Sequence, residues 1–325
     1  MKIVIAVAHD ISGRRDVVDV LRCARSIAAG LSRRGHEVQI RTVAAVSAAT
    51  VEREIISACP DCVFNLFEGF AHDAACEADF AALLEARSIP FTGNSAQTLR
   101  LCLNKAAAKE VLTAQGVPVP QGICLRLGDP LPDRLPPFPV FVKPCCEDAS
   151  VGIDKSSLVH TREALPRIVR DKLFAFPAGV LVESFLAGTE YNVGCIGLPP
   201  YEIIGISAMV YGIAADMPPF MTYTAKWHPE TPEYRSLVPD PDPAIDHELR
   251  QQIAAIAEQA GRALGCRGYF RVDIREDQGT LYVIDVNPNP DINEDSGFMR
   301  QAYARGRAYD EVLDKIVETA IQQDG

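Results

Sequence analysis

The chain has 325 residues and a mass of 35.4 kDa, with 48% hydrophobic and 23% charged residues, the composition of a globular protein large enough for two or three lobes. A net charge of -11 and a pI near 5.1 exclude a general nucleic-acid or anionic-membrane binder, because such partners require a basic footprint. Ten cysteines without an export signal point to reduced thiols in the cytoplasm rather than a disulfide framework.

Lys2 to Ala8 is an apolar run that predicts a buried first strand and is too short for the hydrophobic region of a signal peptide. Val17, Val18, Leu21, Ala24, Ile27, Ala28 and Leu31 then recur at helical spacing, and Gly35 ends that helix. A strand EVQIRTV, a weaker helix from Val51 to Ala58 and a strand CVFNLFEG follow. This alternation predicts a parallel sheet with crossover helices, an open α/β lobe over residues 1–95. Cys59 and Cys62 have metal or redox spacing, but no second pair or nearby His completes a zinc site.

Phe80 to Ala86 is predicted helical, IPFTGNS forms a short strand and turn, and Ala96 to Gln115 reads as one helix closed by Gly116. Val117-Pro118-Val119-Pro120 forces an extended segment. A proline-rich loop from Asp129 to Pro139 leads into the strand PVFVKP, and Cys145 to Gly152 is small and polar, a turn between paired strands. VLVESFL, EYNVGCIG and YEIIGISAMVYG read as consecutive strands of an antiparallel sheet. Residues 245–264 form an amphipathic helix, GYFRVDIR and TLYVIDVN two strands, and Tyr309 to Gln322 a closing helix. The longest apolar stretch, Ile203 to Ala215, is interrupted by Gly205 and Gly212 and falls short of the roughly 20 residues that span a bilayer.

Neither GxxxxGK[ST] nor GxGxxG occurs, so a bound nucleotide needs another phosphate site. Alternation puts Arg271 and Asp273 on one face of a strand, and Asp285 and Asn287 on one face of the next. Two carboxylates and an amide oxygen so placed suit Mg²⁺, which takes one or two carboxylates together with substrate phosphates; a solvated face with charges paired to Arg271 is the competing reading. Lys143 follows the strand FPVFV and precedes Pro144, Lys105 follows a turn, and Lys226 lies in a polar loop.

Taken in order, FTGNSAQTLRLCLNKAAAKEVLTAQGVPVPQG, FPVFVKPCCEDASVGIDK, VLVESFLAGTEYNVGCIG, TYTAKW and GYFRVDIREDQGTLYVIDVNPNP resemble the D-alanine–D-alanine ligase family of the ATP-grasp superfamily over nearly the whole chain. The resemblance implies an α/β ATP-grasp fold preceded by an open lobe, with boundaries at 1–95, 96–178 and 179–325. It implies a cytoplasmic enzyme that uses ATP and Mg²⁺ (or Mn²⁺) to join small carboxylate and amine substrates, and a homodimer. Lys105, Lys143 and Ser150 would meet the nucleotide phosphates, Glu183 and Leu186 border the adenine, Glu190 hold the ribose, and Lys226 reach the terminal phosphate. Asp273, Asp285 and Asn287 would hold the metal and Arg271 the oxyanion. Asp291, Glu294, Asp295 and Ser296 would line the acceptor site, where the added acids favour a basic amine; the bland reading has them capping a helix that begins near Ser296.

Departures from the family pattern bear on the substrate. The first turn, Ala8 to Arg15, has no Glu for a donor amino group, and Ala149 and Trp227 stand where the family has Ser and Tyr. Two alternatives follow: a genuine D-alanine–D-alanine ligase of cell-wall precursor synthesis, and a non-catalytic nucleotide-binding regulator.

Overall fold

The computed structural model describes residues 1–9, 15–70, 73–211 and 218–322. In the first part, β1 (Lys2–Ala8), α1 (Arg15–Arg33), β2 (Glu37–Val43), α2 (Ala48–Glu54), β3 (Cys62–Leu66) and α3 (Ala75–Glu85) form a parallel sheet of order β2-β1-β3. β1 is the middle strand and buries both faces, which is why it reads as a continuous apolar run. Ile3, Ile5 and Val7 pack with Ala24, Ile27 and Leu31, while Val4 and Ala6 face Val51, Ile55, Phe80 and Leu84 on the other side.

The stretch predicted as one helix from Ala96 is two, α4 (Ala96–Leu103) and α5 (Lys105–Ala114). Asn104 breaks it at φ −89° and ψ 91°, and its side chain accepts from the Ala107 backbone N–H at 3.1 Å. Asparagine favours such a cap over a helix interior. The break frees the Lys105 amide to donate to Cys145 O at 2.9 Å, which ties the lysine to the end of the strand that carries Lys143.

β4 (Gly122–Leu125), β5 (Val140–Pro144), β6 (Leu158–Val159), α6 (Leu165–Ala175) and β7 (Val180–Ser184) make the second layer, an antiparallel sheet of order β4-β7-β5-β6. VLVES therefore does not join the strands that follow it in sequence. β8 (Glu190–Gly197), β9 (Glu202–Val210), α7 (Tyr223–Trp227), α8 (Pro232–Arg235), β10 (Val238–Asp240), α9 (His247–Ala263), β11 (Gly268–Asp277) and β12 (Thr280–Pro288) complete a third sheet, β10-β9-β8-β11-β12. Lys226 accordingly lies on a short helix rather than in a loop, with Thr222 capping Ala225. Ile253, Ala257 and Ala260 of α9 pack under this sheet with Ala108 and Leu112 of α5.

α10 (Gly297–Ala304) and α11 (Tyr309–Gln322) then return to the first sheet, so that Phe298, Val312, Leu313 and Ile316 share one core with β1 and α1. Asn289 sits at that junction with φ 52°, a left-handed conformation that asparagine tolerates better than most residues. Its Nδ2 donates to Glu77 Oε1 at 2.8 Å, and its Oδ1 accepts from the Asn94 backbone N–H at 2.8 Å. Gly93 permits the approach, since a Cβ there would lie 2.2 Å from Asn289 Oδ1. Asn289→Ala is expected to cost about 2 kcal/mol, the sum of left-handed strain and lost bonds, and Asn289→Gly to recover the backbone part; urea unfolding midpoints check both. Among the described residues no helix is long and apolar enough to cross a membrane.

Candidate active site

A cavity of about 360 Å³ opens between the second and third sheets. One end is apolar: Phe141, Phe185 and Phe220 pack with ring centroids 4.9 to 6.1 Å apart, beside Leu186 and Met209. The rest is charged. Lys105, Lys143, Ser150, Glu183, Leu186, Glu190, Lys226, Arg271, Asp273, Asp285, Asn287 and Asp291 all line it. Glu294, Asp295 and Ser296 do not: Glu294 and Asp295 are exposed, Asp295 pairs with Arg22 at 3.3 Å, and Ser296 caps α10 by accepting from Met299 N at 3.2 Å. Of the three acids expected around one pocket, Asp291 lines this cavity and Glu294 and Asp295 do not, because the chain turns away after Ile292 to start a helix.

The β11–β12 hairpin supplies the centre. Register sets Asp273 opposite Asp285 and Arg271 opposite Asn287, so the four side chains share a face. Arg271 grips Asp273 with both arms, Nε to Oδ1 at 2.6 Å and Nη2 to Oδ2 at 2.8 Å, while Asn192 and Asn287 donate to the same carboxylate at 2.8 and 2.9 Å. Such a fork is a strong, orienting contact. Burial alone would lower the Arg271 pKa, but Asp273 outweighs it and holds the guanidinium above its ordinary value.

Four lysines gather here, Lys105 and Lys109 from α5, Lys143 from β5 and Lys226 from α7. Lys105 Nζ lies 3.2 Å from Asp148 and 3.6 Å from Asp285, whose charges overcome burial and keep it protonated. Burial would raise Asp285, yet Lys105 and Lys143 hold it below the usual carboxylate range. Glu183 carries two ammoniums, Lys143 at 2.8 Å and Lys109 at 3.1 Å. Its carboxylate is thus committed to lysines instead of facing the apolar end. Lys226 is lowered, first by burial and then by Arg271, and its ammonium stands 5.4 Å from the Trp227 ring centre.

The turn from Glu147 to Gly152 closes one side. Ala149 and Ser150 have φ 54° and 62°, two consecutive strained residues of the kind that collect at ligand clamps. Trp227 Nε1 donates to Ala149 O at 3.0 Å and pins the turn to α7. The two residues that depart from the family pattern therefore touch each other. Trp227→Phe removes one hydrogen bond of about 1 kcal/mol, so the KM for nucleotide is expected to rise about fivefold with a smaller change in kcat, as steady-state kinetics would record.

Sequence reading overlooked Lys109, Asn192, Arg275 and Tyr211. Lys109 lies four residues past Lys105 and so on the same helical face. Arg275 continues the alternation of Arg271 and Asp273, and it donates to Leu186 O at 3.0 Å and lies 3.6 Å from Glu190. Those signals were present. Tyr211 gives none, although its hydroxyl donates to Glu190 Oε2 at 2.8 Å.

Among the described residues no group of three or more His, Cys, Asp or Glu side chains gathers as a self-sufficient metal site. Two aspartates and an asparagine oxygen fit instead a hard cation that completes its shell with substrate phosphates.

Residues 133–318 match the family model described as D-ala D-ala ligase C-terminus. The D-alanine–D-alanine ligase of Syntrophotalea carbinolica is 30% identical over 95% of this chain and 93% of its own length. Among solved structures, the D-alanine–D-alanine ligase of Bacillus anthracis complexed with ATP superposes with a TM-score of 0.80 at 20% identity, covering 100% of this chain and 98% of the other. The VanG D-Ala:D-Ser ligase of Enterococcus faecalis does so at 0.74 and 18%, over 98% and 99%. The hairpin of Arg271, Asp273, Asp285 and Asn287 falls inside the matched span, and the chain belongs to the D-alanine–D-alanine ligase family, the ATP-dependent carbon–nitrogen ligases built on the α/β ATP-grasp fold.

Proposed function

We propose that this cavity joins a carboxylate to an amine with ATP, through an acyl phosphate. The observation that carries the reading is the convergence of four cations, Lys105, Lys143, Lys226 and Arg271, on the face that presents Asp273, Asp285 and Asn287. A carboxylate resists attack by an amine until one oxygen becomes a leaving group, and transfer of the terminal phosphoryl group makes it one. Such transfer depends on positioning and charge neutralisation more than on covalent help.

In this reading the apolar end takes the base beside Leu186, and Glu190 takes the ribose hydroxyls. Lys105, Lys143 and Ser150 hold the phosphates, with Lys226 at the terminal one. Glu183 acts by holding Lys143 in place. Asp273, Asp285 and Asn287 would hold Mg²⁺ or Mn²⁺, which supplies neutralisation of phosphate charge. Arg271, oriented by Asp273, stabilises the oxygen that turns negative as the amine adds, and phosphate then leaves as the amide forms. Three lobes follow the expected bounds 1–95, 96–178 and 179–325 except that β7, paired with β4 and β5, goes with the second, and α10 and α11 brace the first against the third.

The substrate pair is read as differing from two D-alanines. Support comes from the sequence, where Trp227 and Ala149 carry no hydroxyl at the two positions that have one in the family pattern. The Ala8 to Arg15 turn, which lacks the donor-site Glu, extends beyond the described residues at 10–14. A screen of amino acids in pairs for amine-dependent ADP release, D-alanine with D-alanine included and products identified by mass, tests the proposal. No amine-dependent release with any pair overturns the ligase reading, and efficient D-alanyl-D-alanine formation overturns the altered substrate alone.

A further inference from the structure

The charged groups that line the cavity fall mostly into pairs. Lys105 pairs with Asp148 and Asp285, Lys143 with Glu183, Arg271 with Asp273, and Arg275 with Glu190. Among the described residues Lys226, Asp291 and the turn residue Glu147 make no direct ion pair, although Lys226 and Asp291 lie near enough to act on each other's charge. Asp291 is held rigidly: its Oδ1 accepts from both the backbone N–H and the Nδ2 of Asn293, each at 2.8 Å. The second oxygen is the one left for a partner. Asp19 of α1 receives Asn293 Nδ2 at 3.0 Å but is already matched by Arg22 at 2.7 Å.

A fixed carboxylate at a cavity wall loses hydration whenever a substrate fills the space, and a cation from that substrate restores what is lost. The amine that attacks an acyl phosphate must be neutral, so it cannot be the group that Asp291 holds. We propose that Asp291 binds a non-reacting ammonium or guanidinium group of a substrate, and so selects an amino acid or amine that carries a second basic group or a donor that keeps its α-ammonium. The proposal rests on the ligase reading and narrows it. Asp295 and Glu294 contribute nothing to this selection, since they lie outside the cavity.

Asp291→Asn tests it, because asparagine keeps the oxygen that accepts from Asn293 and removes only the charge. The acceptor arm compares lysine with norleucine in both chiralities, and the donor arm compares alanine with propionate, each read as kcat/KM for ADP release. Calorimetric titration with lysine and norleucine runs in parallel and requires no turnover. The variant is expected to lose about tenfold or more toward the cationic member of one arm and little toward its neutral partner; the arm affected identifies which substrate carries the cation. Equal loss toward both members, no loss, or a wild type that binds lysine no better than norleucine and shows no preference in the donor arm overturns the assignment. Release that persists in wild type while Asp291→Asn is indifferent leaves the ligase reading standing. Glu294→Gln is expected to change neither arm.

Discussion

Asp273→Asn is expected to lower kcat about a thousandfold, the loss typical of removing a fixed charge-stabilising contact, while the protein still folds. Asp273 receives four donors at 2.6 to 2.9 Å from Arg271, Asn192 and Asn287. An amide in its place offers one acceptor oxygen and presents an NH₂ group to a guanidinium that also only donates. The Arg271 fork therefore loses one arm and its alignment, and one of the two carboxylates suited to a hard cation is gone. Asn192 and the rest of the hairpin register remain, so the stability cost should stay near 1 to 2 kcal/mol, the price of a disrupted hydrogen-bonded pair at a cavity wall. Amine-dependent ADP release measured beside thermal unfolding separates the two effects. Excess chelator should silence wild type as deeply as the substitution does. A variant with full turnover would remove Asp273 from the machinery.

The centre of this site was legible because a hairpin carries its own geometry. Alternation along GYFRVDIR and TLYVIDVN, with a tight turn between them, fixes which side chains share a face, and the observed register pairs Asp273 with Asp285. Asn104 was not legible as a break, since AQTLRLCL and KAAAKEVL both have helical periods and the acceptor that rewards the break, Cys145 O, lies forty residues downstream. The same holds for β7: its sequence says strand, but its partners β4 and β5 are chosen by loops whose path no local pattern encodes. The acids after Asn287 illustrate the converse error. Nearness in sequence suggested a shared pocket, yet Asp291, itself solvent-exposed, lines the cavity while the chain beyond Ile292 turns into α10 and carries Glu294 and Asp295 outside it.

Glu183→Gln is expected to destabilise the protein by about 3 to 5 kcal/mol, the range for taking one partner from a buried ion pair. Glu183 is 3% exposed, and Lys109 and Lys143 are 8% and 6% exposed. Among the described residues Lys109 otherwise bonds Val283 O at 3.5 Å and Lys143 Ile284 O at 3.3 Å, so the variant leaves two adjacent ammoniums with carbonyls and the more distant Asp285 charge. Lys109 already sits below its ordinary pKa because burial outweighs Glu183, and loss of the carboxylate lowers it further. Lys109→Met with Glu183→Gln removes the worse of the two orphaned charges, so the double variant should be more stable than Glu183→Gln alone. The wild-type contribution has a defined pH window. Burial would raise Glu183, but Lys109 and Lys143 prevail and hold it below the ordinary 4.5. A depressed acid stabilises the fold above its unfolded value and ceases to do so as pH falls through its folded value. Urea midpoints should therefore separate wild type from Glu183→Gln widely at pH 7 and converge as pH falls through the depressed Glu183 value, with ATP affinity weakened in parallel through the misplaced Lys143. Equal midpoints at pH 7 would show that the two lysines find their counter-charge elsewhere.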